Sequence, residues 1–273
     1  MKIAVIGDLG IDYYENLNIL KPGGIAFNFA FNLIKSGKDK VSLISILGKD
    51  KFSTKLMSVS KKVGLDTSHV QQIKGDAPKQ NIFLDKGERK FTGYDPGVLK
   101  KWKFRKNDIV FIRKHEVVFV PLNDGMKQIF DAVKKIKGPL KVIDFSQDSE
   151  YADFDKKENV ITKNAKYFDI IFVGGKKKHQ KMVSSLALKY PKKVIVLTLG
   201  ANGSVCFYQN RIFSQKAVKA AKIVDTTGCG DAFQAGFLSS WMKKKDVKTA
   251  LIQGTKRASS IIKHVGSTPL ILK

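Results

Sequence analysis

Residues 224–237 read VDTTGCGDAFQAGF and place a carboxylate directly behind two glycines at the predicted start of a helix. Gly228 and Gly230 allow the backbone to turn sharply and to approach a ligand closely, and the apolar residues that follow have helical spacing. The free N–H groups and positive dipole end of such a helix attract an anion such as phosphate. Because Asp231 would repel that anion, its presence indicates either a chemical role or a simple helix N-cap.

A second set of polar residues follows the first predicted strand. Asp8 ends that strand, Asp12 follows the turn, and Gly23-Gly24 precede a helix that carries Asn28 in GGIAFNFA. Open parallel sheets bind ligands outside the carboxyl ends of their strands, and an asparagine amide both donates hydrogen bonds to hydroxyls and accepts them. The pattern predicts a sugar-like ligand, and a turn-forming Asp8 with a surface Asn28 is the alternative interpretation.

These residues need a framework that brings distant segments together. Compact apolar runs, typical of strands buried on both faces, occur at residues 2–7, 41–47, 109–112, 140–145, 170–173 and 194–199. Helical patterns alternate with them near residues 25–36, 51–63, 123–137, 175–189, 230–244 and 246–264. The alternation predicts an α/β fold with a mainly parallel sheet between helices.

Two segments break this alternation. Residues 11–20 and roughly 70–94 alternate polar and apolar side chains between glycine turns, as half-exposed antiparallel strands do. They predict a small second sheet, within a single domain of residues 1–273.

The composition limits the class of protein. A chain of 273 residues with 43% hydrophobic content can bury a large core, and no apolar run approaches the roughly 20 residues that span a bilayer. The formal net charge is +26, but only five of the 50 basic residues are arginine, which disfavours specific nucleic-acid recognition. Two cysteines without metal-ligand spacing predict neither a disulfide framework nor a zinc site. These features predict a soluble cytoplasmic protein.

Three motifs together resemble the ribokinase or PfkB family of sugar kinases. They are GGIAFNFA, TLGANGS at 198–204 and DTTGCGDAFQAGF at 225–237, and they occur in the family's order and separations. More narrowly, GERKFTGYDPGVL at 87–99, DFS at 144–146 and LIQGTKRASSIIKHVG at 251–266 resemble the fructoselysine 6-kinase branch. The resemblance implies a ribokinase-like three-layer fold, a β-lid over the sugar, and ATP-dependent phosphorylation of a hydroxymethyl group.

The resemblance also implies roles for particular residues. Asp231 would be the base that takes the proton of the attacking hydroxyl, and the backbone N–H groups of Gly228, Cys229 and Gly230 would hold the transferring phosphoryl group. Sugar-binding positions would be Asp8, Asp12, Gly23, Gly24 and Asn28. In the predicted lid, Arg89 either approaches the polar or anionic end of the substrate or is a solvated strand residue. The nucleotide positions would be Thr198, Gly200 and Gly203, for which an ordinary hairpin turn is the alternative.

Metal binding is where the sequence departs from the family. The usual Asn-x-x-Glu motif is missing, because Gly174 and Lys177 stand at its positions. The family implies ATP with Mg²⁺, and Asp225, the Thr227 carbonyl and the Gly266 turn resemble a monovalent-cation site for K⁺. Lys177 either places positive charge near the phosphates or is a solvated surface residue.

Several alternatives remain open from the sequence. The chain is either a working sugar kinase or a kinase-fold ligand-binding protein with little catalysis, and the lid either closes over sugar or pairs with the lid of a second subunit. The substrate is fructoselysine or another fructosamine, a plain ketose, ribose or a nucleoside. Cys229 either replaces a small residue or reacts with an alkylating reagent in a manner that ATP blocks.

Overall fold

The computed structural model describes residues 1–37, 39–123, 125–145, 154–219 and 222–272. Asp124, inside a predicted helix, and Ser146, in the DFS motif, lie outside these ranges. Within them the chain forms thirteen strands and eight α-helices. None of these helices is long and apolar enough to cross a membrane.

The strands are distributed over two sheets. Their bounds are β1 (Lys2–Ile6), β2 (Gly10–Tyr14), β3 (Ile19–Gly23), β4 (Lys40–Leu47), β5 (Val70–Gln72), β6 (Lys79–Asp85), β7 (Glu88–Asp95), β8 (Val117–Pro121), β9 (Leu140–Asp144), β10 (Ile170–Gly174), β11 (Val194–Thr198), β12 (Ser204–Tyr208) and β13 (Arg211–Gln215). The main sheet has the order β13-β12-β11-β10-β9-β8-β1-β4-β5, in which the β11–β12 and β12–β13 pairings are antiparallel and the others are parallel. The predicted α/β fold with a mainly parallel sheet is therefore confirmed.

Helices cover both faces of the main sheet. Their bounds are α1 (Ile25–Ser36), α2 (Lys51–Lys62), α3 (Lys106–Ile112), α4 (Lys127–Lys135), α5 (Phe154–Asn164), α6 (Gln180–Lys189), α7 (Cys229–Lys244) and α8 (Val247–Ile261). Successive strand side chains point to opposite faces, so Ile3 and Val5 of β1 join a core with α1, α7 and α8, whereas Ala4 and Ile6 join one with α4 and α6. The result is three layers with the sheet in the middle.

The second sheet has the order β3-β2-β6-β7 and is called the lid below. Its strand β2 runs parallel to β6, and the other two pairings are antiparallel. Residues 70–72 do not belong to it, because β5 pairs with β4 at the edge of the main sheet. That part of the predicted lid was wrong, because a short strand with a polar face has the same sequence pattern at the edge of either sheet.

Two other assignments also differ from the sequence. Residues 109–112, predicted as a strand, form the end of α3, where Asp108 accepts a hydrogen bond from the backbone N–H of Arg105 at 2.8 Å and so caps the helix. The strand itself is β8, which is fully buried between β1 and β9. Helix α5 and the β12–β13 hairpin were not predicted from the sequence. Local apolar runs thus indicated buried segments without deciding their conformation.

Candidate active site

The start of α7 is shaped by one glycine that no other residue can replace. Gly228 is the N-cap and has φ +76°, and a Cβ there would lie 2.4 Å from Cβ of Ser267. No acceptor within the described ranges pairs with the N–H of Gly228 or Gly230, whereas the Cys229 N–H donates to the Thr226 carbonyl at 3.3 Å. The two glycine N–H groups are therefore available to an anion at this helix end.

Asp231 lies in the first turn of α7 and is 6% exposed. Its Oδ2 accepts a hydrogen bond from Asn28 Nδ2 at 3.0 Å, which joins α7 to α1. Burial raises the pKa of Asp231 well above its ordinary value, and the charges of Asp144 and Asp8 add to this effect. The Asn28 hydrogen bond and the charge of Arg89 oppose it. Such a carboxylate binds protons more strongly than one in water, as a general base requires.

Asn28 is held from both ends of its amide. Its Oδ1 accepts from the hydroxyl of Ser267, and its Nδ2 donates to Asp231. The sequence predicted that Asn28 would bind sugar hydroxyls; the structure places it at the cavity but occupies its amide with protein partners. Ser267 was missed because no motif marks a serine that lies 239 residues from Asn28.

The two glycines before α1 allow two carboxylates to approach the backbone. Asp8 accepts hydrogen bonds from the N–H groups of Ile25 at 3.1 Å and Ala26 at 3.2 Å, which caps α1 from a distant segment. A Cβ on Gly24, which has φ +101°, would lie 2.7 Å from the Asp8 carbonyl. A Cβ on Gly23 would overlap the Asp12 carboxylate at 2.2 Å. Only glycines therefore permit this arrangement.

Asp12 is the carboxylate best suited to meet a ligand. It is 6% exposed, lines the cavity and has no hydrogen-bond donor among the residues that the structure describes. Burial raises its pKa to about 7, with further upward contributions from Asp8 and Asp225, while Arg89 and Lys21 lower it. A buried polar group without a partner is costly, so a ligand hydroxyl or ammonium would be favoured here.

The cavity between the main sheet and the lid has a volume of about 590 Å³. Asp8, Asp12, Gly24, Asn28, Gly228 and Asp231 lie along its floor, and β6 and β7 form the opposite wall. Arg89 of β7 donates from one guanidinium nitrogen to the carbonyl and to the hydroxyl of Thr226, both at 3.0 Å. The lid therefore contacts the loop before α7, and Arg89 is a half-buried site residue instead of a solvated one.

The structure also adds residues that the sequence did not indicate. Lys157 on α5 is 7% exposed and lines the cavity together with Asn123. Lid residues at the same cavity include Lys79, Gln80, Phe91, Thr92 and Tyr94. No local pattern distinguishes these positions from surface residues, because the lid strands alternate polar and apolar side chains whichever face meets a ligand.

The predicted nucleotide residues lie outside this cavity, just after β11. Thr198 ends that strand and its hydroxyl donates to the Val173 carbonyl at 3.4 Å. Gly200 has φ +58° with open space beside it, whereas a Cβ on Gly203 would lie 2.0 Å from the Gln215 carbonyl. Packing of β12 on β13 thus already explains Gly203. Contact of these residues with a nucleotide stays a prediction.

The positions of the missing Asn-x-x-Glu motif lie beside this turn. Gly174 ends β10 opposite Thr198, and Lys177 is exposed in a short 3₁₀ turn. Across the described ranges, no group of three or more His, Cys, Asp or Glu side chains is arranged to hold a metal ion. A magnesium ion at this site would be held by phosphate oxygens and water in addition to any single protein ligand.

Asp225 is brought together with Thr227 and Gly266, as predicted, but its oxygens are occupied. Oδ1 accepts from the N–H and the hydroxyl of Thr227, at 2.8 and 2.7 Å. Oδ2 accepts from the Tyr14 hydroxyl at 2.6 Å and the Gly266 N–H at 2.7 Å. A carboxylate offers about four lone-pair sites, so a monovalent cation does not fit this carboxylate.

Cys229 is partly buried, and its environment is unfavourable to a thiolate. Burial raises its pKa to about 12, and Asp225 and Asp231 add to this while Arg89 opposes it. The prediction that the helix N-terminus makes this thiol reactive is not supported, because desolvation is the largest effect.

Comparison with known proteins was consistent across sequence and structure. The model of the pfkB family of carbohydrate kinases matches residues 4–272. The fructosamine kinase FrlD of Bacillus subtilis is 28% identical, with 95% of this chain and 90% of that protein covered. The fructoselysine 6-kinase of Escherichia coli is 27% identical, with 97% and 98% covered. A putative ribokinase II from E. coli, solved with ATP and Mg²⁺, superposes with a TM-score of 0.82 at 15% identity, with 97% and 94% covered.

Proposed function

Because this chain belongs to the PfkB family of carbohydrate kinases, we propose that it phosphorylates the primary hydroxyl of a fructosamine such as fructoselysine. The family establishes the coarser activity, which is ATP-dependent phosphorylation of a sugar or nucleoside. The finer assignment draws on the similarity to two kinases named for amine-bearing ketoses.

The observation that carries the proposal is the position of Asp231. Its buried carboxylate lies at the cavity floor, one turn or less from two glycine N–H groups that have no acceptor among the residues the structure describes. With Oδ2 bound to Asn28, Oδ1 is left to accept the proton of a sugar hydroxyl. A base and anion donors at one helix end are the two features that phosphoryl transfer requires.

The reaction follows from these groups. Asp231 takes the hydroxyl proton, the sugar oxygen forms a bond to the γ-phosphorus, and the bond from that phosphorus to the ADP oxygen breaks. The N–H groups of Gly228 and Gly230 hold the transferring phosphoryl oxygens, and Arg89 supplies positive charge from the lid. Bound Mg²⁺ would neutralise charge on the nucleotide phosphates. A catalytic role for K⁺ is not proposed, because the Asp225 carboxylate is saturated.

The cavity also suits a substrate larger than a hexose. Its volume of about 590 Å³ has room for a substituent in addition to a six-carbon sugar. Asp8 and Asp12 supply carboxylates for hydroxyls or an amine, and Lys79 on the lid supplies a cation for an appended carboxylate. A plain ketose, ribose or nucleoside would leave part of this polar wall unpaired.

The test is a coupled assay of ADP release with fructoselysine, fructose, ribose and adenosine. We expect kcat/KM for fructoselysine to exceed that for the others by about tenfold or more, since unmade hydrogen bonds to buried groups are costly. Asp231→Asn serves as the blank for ATP hydrolysis. Preference for fructose, ribose or adenosine would reject the fructosamine assignment while keeping the kinase.

We also propose that the lid pairs with the lid of a second copy. Phe83, Phe91 and Tyr94 are 42%, 55% and 40% exposed on β6 and β7. Phe91 and Tyr94 line the cavity, whereas Phe83 does not line it and is an exposed aromatic side chain of a kind found at interfaces. Light scattering of the wild type and of Phe83→Ser tests this, and a monomeric wild type at assay concentrations would reject it.

A further inference from the structure

A second cavity, called the cationic groove here, lies between the C-terminal halves of α1 and α7 and the side of α8 that faces them. It has a volume of about 450 Å³ and does not share residues with the active-site cavity. Its cationic side chains are Lys35, Lys243, Lys244, Lys256 and Arg257. Five hydroxyl side chains, Ser239 and Ser260 among them, also line it.

The groove carries no compensating acid. None of its lining residues is Asp or Glu, and none of its five cations forms an ion pair with any residue that the structure describes. Asp39, which lies 3.4 Å from the Ser239 hydroxyl at the margin, is already paired with the N-terminal ammonium at 3.2 Å. Five like charges around one concave surface repel each other and attract a polyanion.

Helix dipoles explain only part of this cluster. Lys35, Lys243 and Lys244 lie in the last turns of α1 and α7, where cations stabilise helix ends. Lys256 and Arg257 lie outside the last turn of α8, so the dipole does not account for them. Their presence opposite the other three indicates a ligand that bridges the helices.

Arg257 is fixed in an orientation suited to phosphate. Its Nε donates to Asn32 Oδ1 at 2.7 Å, and one terminal nitrogen lies 3.5 Å from the Ser260 hydroxyl. It is half-buried, and burial lowers its pKa. An arginine anchored through Nε presents its terminal N–H groups as a preformed fork for phosphate oxygens.

The groove is linked to the base through helix α1. Asn32 Oδ1 accepts from Arg257, and Asn32 Nδ2 donates to the backbone carbonyl of Asn28 at 2.8 Å. The side-chain Nδ2 of Asn28 donates to Asp231 at 3.0 Å, so the chain of contacts from Arg257 to Asp231 passes through the α1 backbone at Asn28. A shift of α1 that follows a change in the position of Arg257 would move the side chain that orients Asp231.

We propose that the cationic groove binds a small molecule carrying two or more phosphate groups, and that its occupancy alters turnover through the chain from Arg257 to Asp231. Two linked phosphates match a groove with cations on three helices. Arg257 and Asn32 are positioning residues in this scheme.

The binding arm of the test uses inorganic tripolyphosphate and calorimetry at physiological ionic strength, without sugar or ATP. We expect the double variant Lys243→Ser/Lys256→Ser to bind tripolyphosphate about tenfold more weakly, as loss of charge-assisted contacts implies. The matched control is Lys61→Ser/Lys62→Ser, which removes the same charge from the end of α2, outside the groove. Equal weakening in both variants, or in neither, would overturn the site. Loss of oligonucleotide binding in the groove variant, with no tripolyphosphate binding in the wild type, would assign the groove to nucleic acid instead.

The coupling arm measures kinase activity with and without tripolyphosphate at saturating ATP. We expect tripolyphosphate to change kcat by about threefold or more, with little change in the KM for sugar. Asn32→Asp keeps the acceptor for Arg257 but removes the donor to Asn28, so tripolyphosphate should still bind without changing kcat. The melting temperature of Asn32→Asp separates loss of coupling from misfolding. The variant Arg257→Lys should still bind tripolyphosphate but lose the change in kcat. An unchanged response in Asn32→Asp, or no response in the wild type, would overturn the coupling. Failure of the proposed sugar kinase activity would leave the binding arm intact.

Discussion

Replacing Asp231 with asparagine should separate chemistry from folding at this position. The substitution keeps the shape of the side chain and its hydrogen bond from Asn28, because the amide oxygen still accepts from Nδ2. It removes the carboxylate that the proposed mechanism uses to take the hydroxyl proton. A positioned general base contributes about 10²–10⁴-fold, so kcat should fall by that factor, or by about 2.7–5.4 kcal/mol of transition-state stabilisation.

The same substitution should not destabilise the protein. The folded-state pKa of Asp231 is raised, mainly by burial and then by Asp144 and Asp8, so folding opposes its ionisation. Above the ordinary pKa of the unfolded chain this opposition reduces the free energy of unfolding, and a neutral amide does not experience it. Asp231→Asn should therefore be more stable than the wild type at pH 8, because a neutral amide does not carry the cost of a buried charge.

The assay combines coupled ADP release, calorimetric ATP binding and chemical denaturation at pH 8. Asp246→Asn is the matched control, because Asp246 is an exposed helix cap and asparagine caps equally well. The control should keep its turnover and its stability. If Asp231→Asn keeps turnover within tenfold of the wild type, Asp231 is not the base. If it loses turnover together with stability and ATP binding, the loss reflects folding.

Three further predictions concern the other titratable groups of the site. Because the folded-state pKa of Asp12 is about 7, the free energy of unfolding should fall as pH rises from about 4 to about 7, by about 4 kcal/mol at most. Chemical denaturation at pH 5 and pH 8 should therefore show a smaller fall for Asp12→Asn than for the wild type. The same pH dependence in both proteins would refute the raised pKa. Because the pKa of Cys229 is about 12, iodoacetamide at pH 7.5 should modify the Cys229 thiol about 100-fold more slowly than free cysteine, with or without ATP. Rapid inactivation of the wild type that Cys229→Ala abolishes would contradict this slow modification. The Asp225 carboxylate accepts four internal hydrogen bonds, so kinase activity in choline chloride and in potassium chloride of equal ionic strength should agree within about twofold. Strong stimulation by K⁺ would contradict this expectation and show that the cation binds through other oxygens.

Local sequence was most informative where a backbone requirement is severe. Gly228, Gly23 and Gly24 could be identified as site residues because only glycine permits their close contacts, and Gly228 and Gly24 also have positive φ angles. The apolar runs at 2–7 and 170–173 identified strands because both faces of a central strand are buried. The run at 109–112 misled for the same reason, since a buried helical turn is equally apolar.

The sequence by itself therefore determined the α/β fold, the glycine-rich start of α7 and the carboxylates at the ends of strands. Only the tertiary structure decided which groups meet, because Asn28 and Asp231 are 203 residues apart and are joined by the packing of α1 on α7. The same packing directs the Asn28 amide to Ser267 and Asp231, and it saturates Asp225 with donors from three separate segments. These contacts set the pKa values and the free hydrogen-bonding positions of the site, since both depend on burial and on neighbours that are distant in sequence.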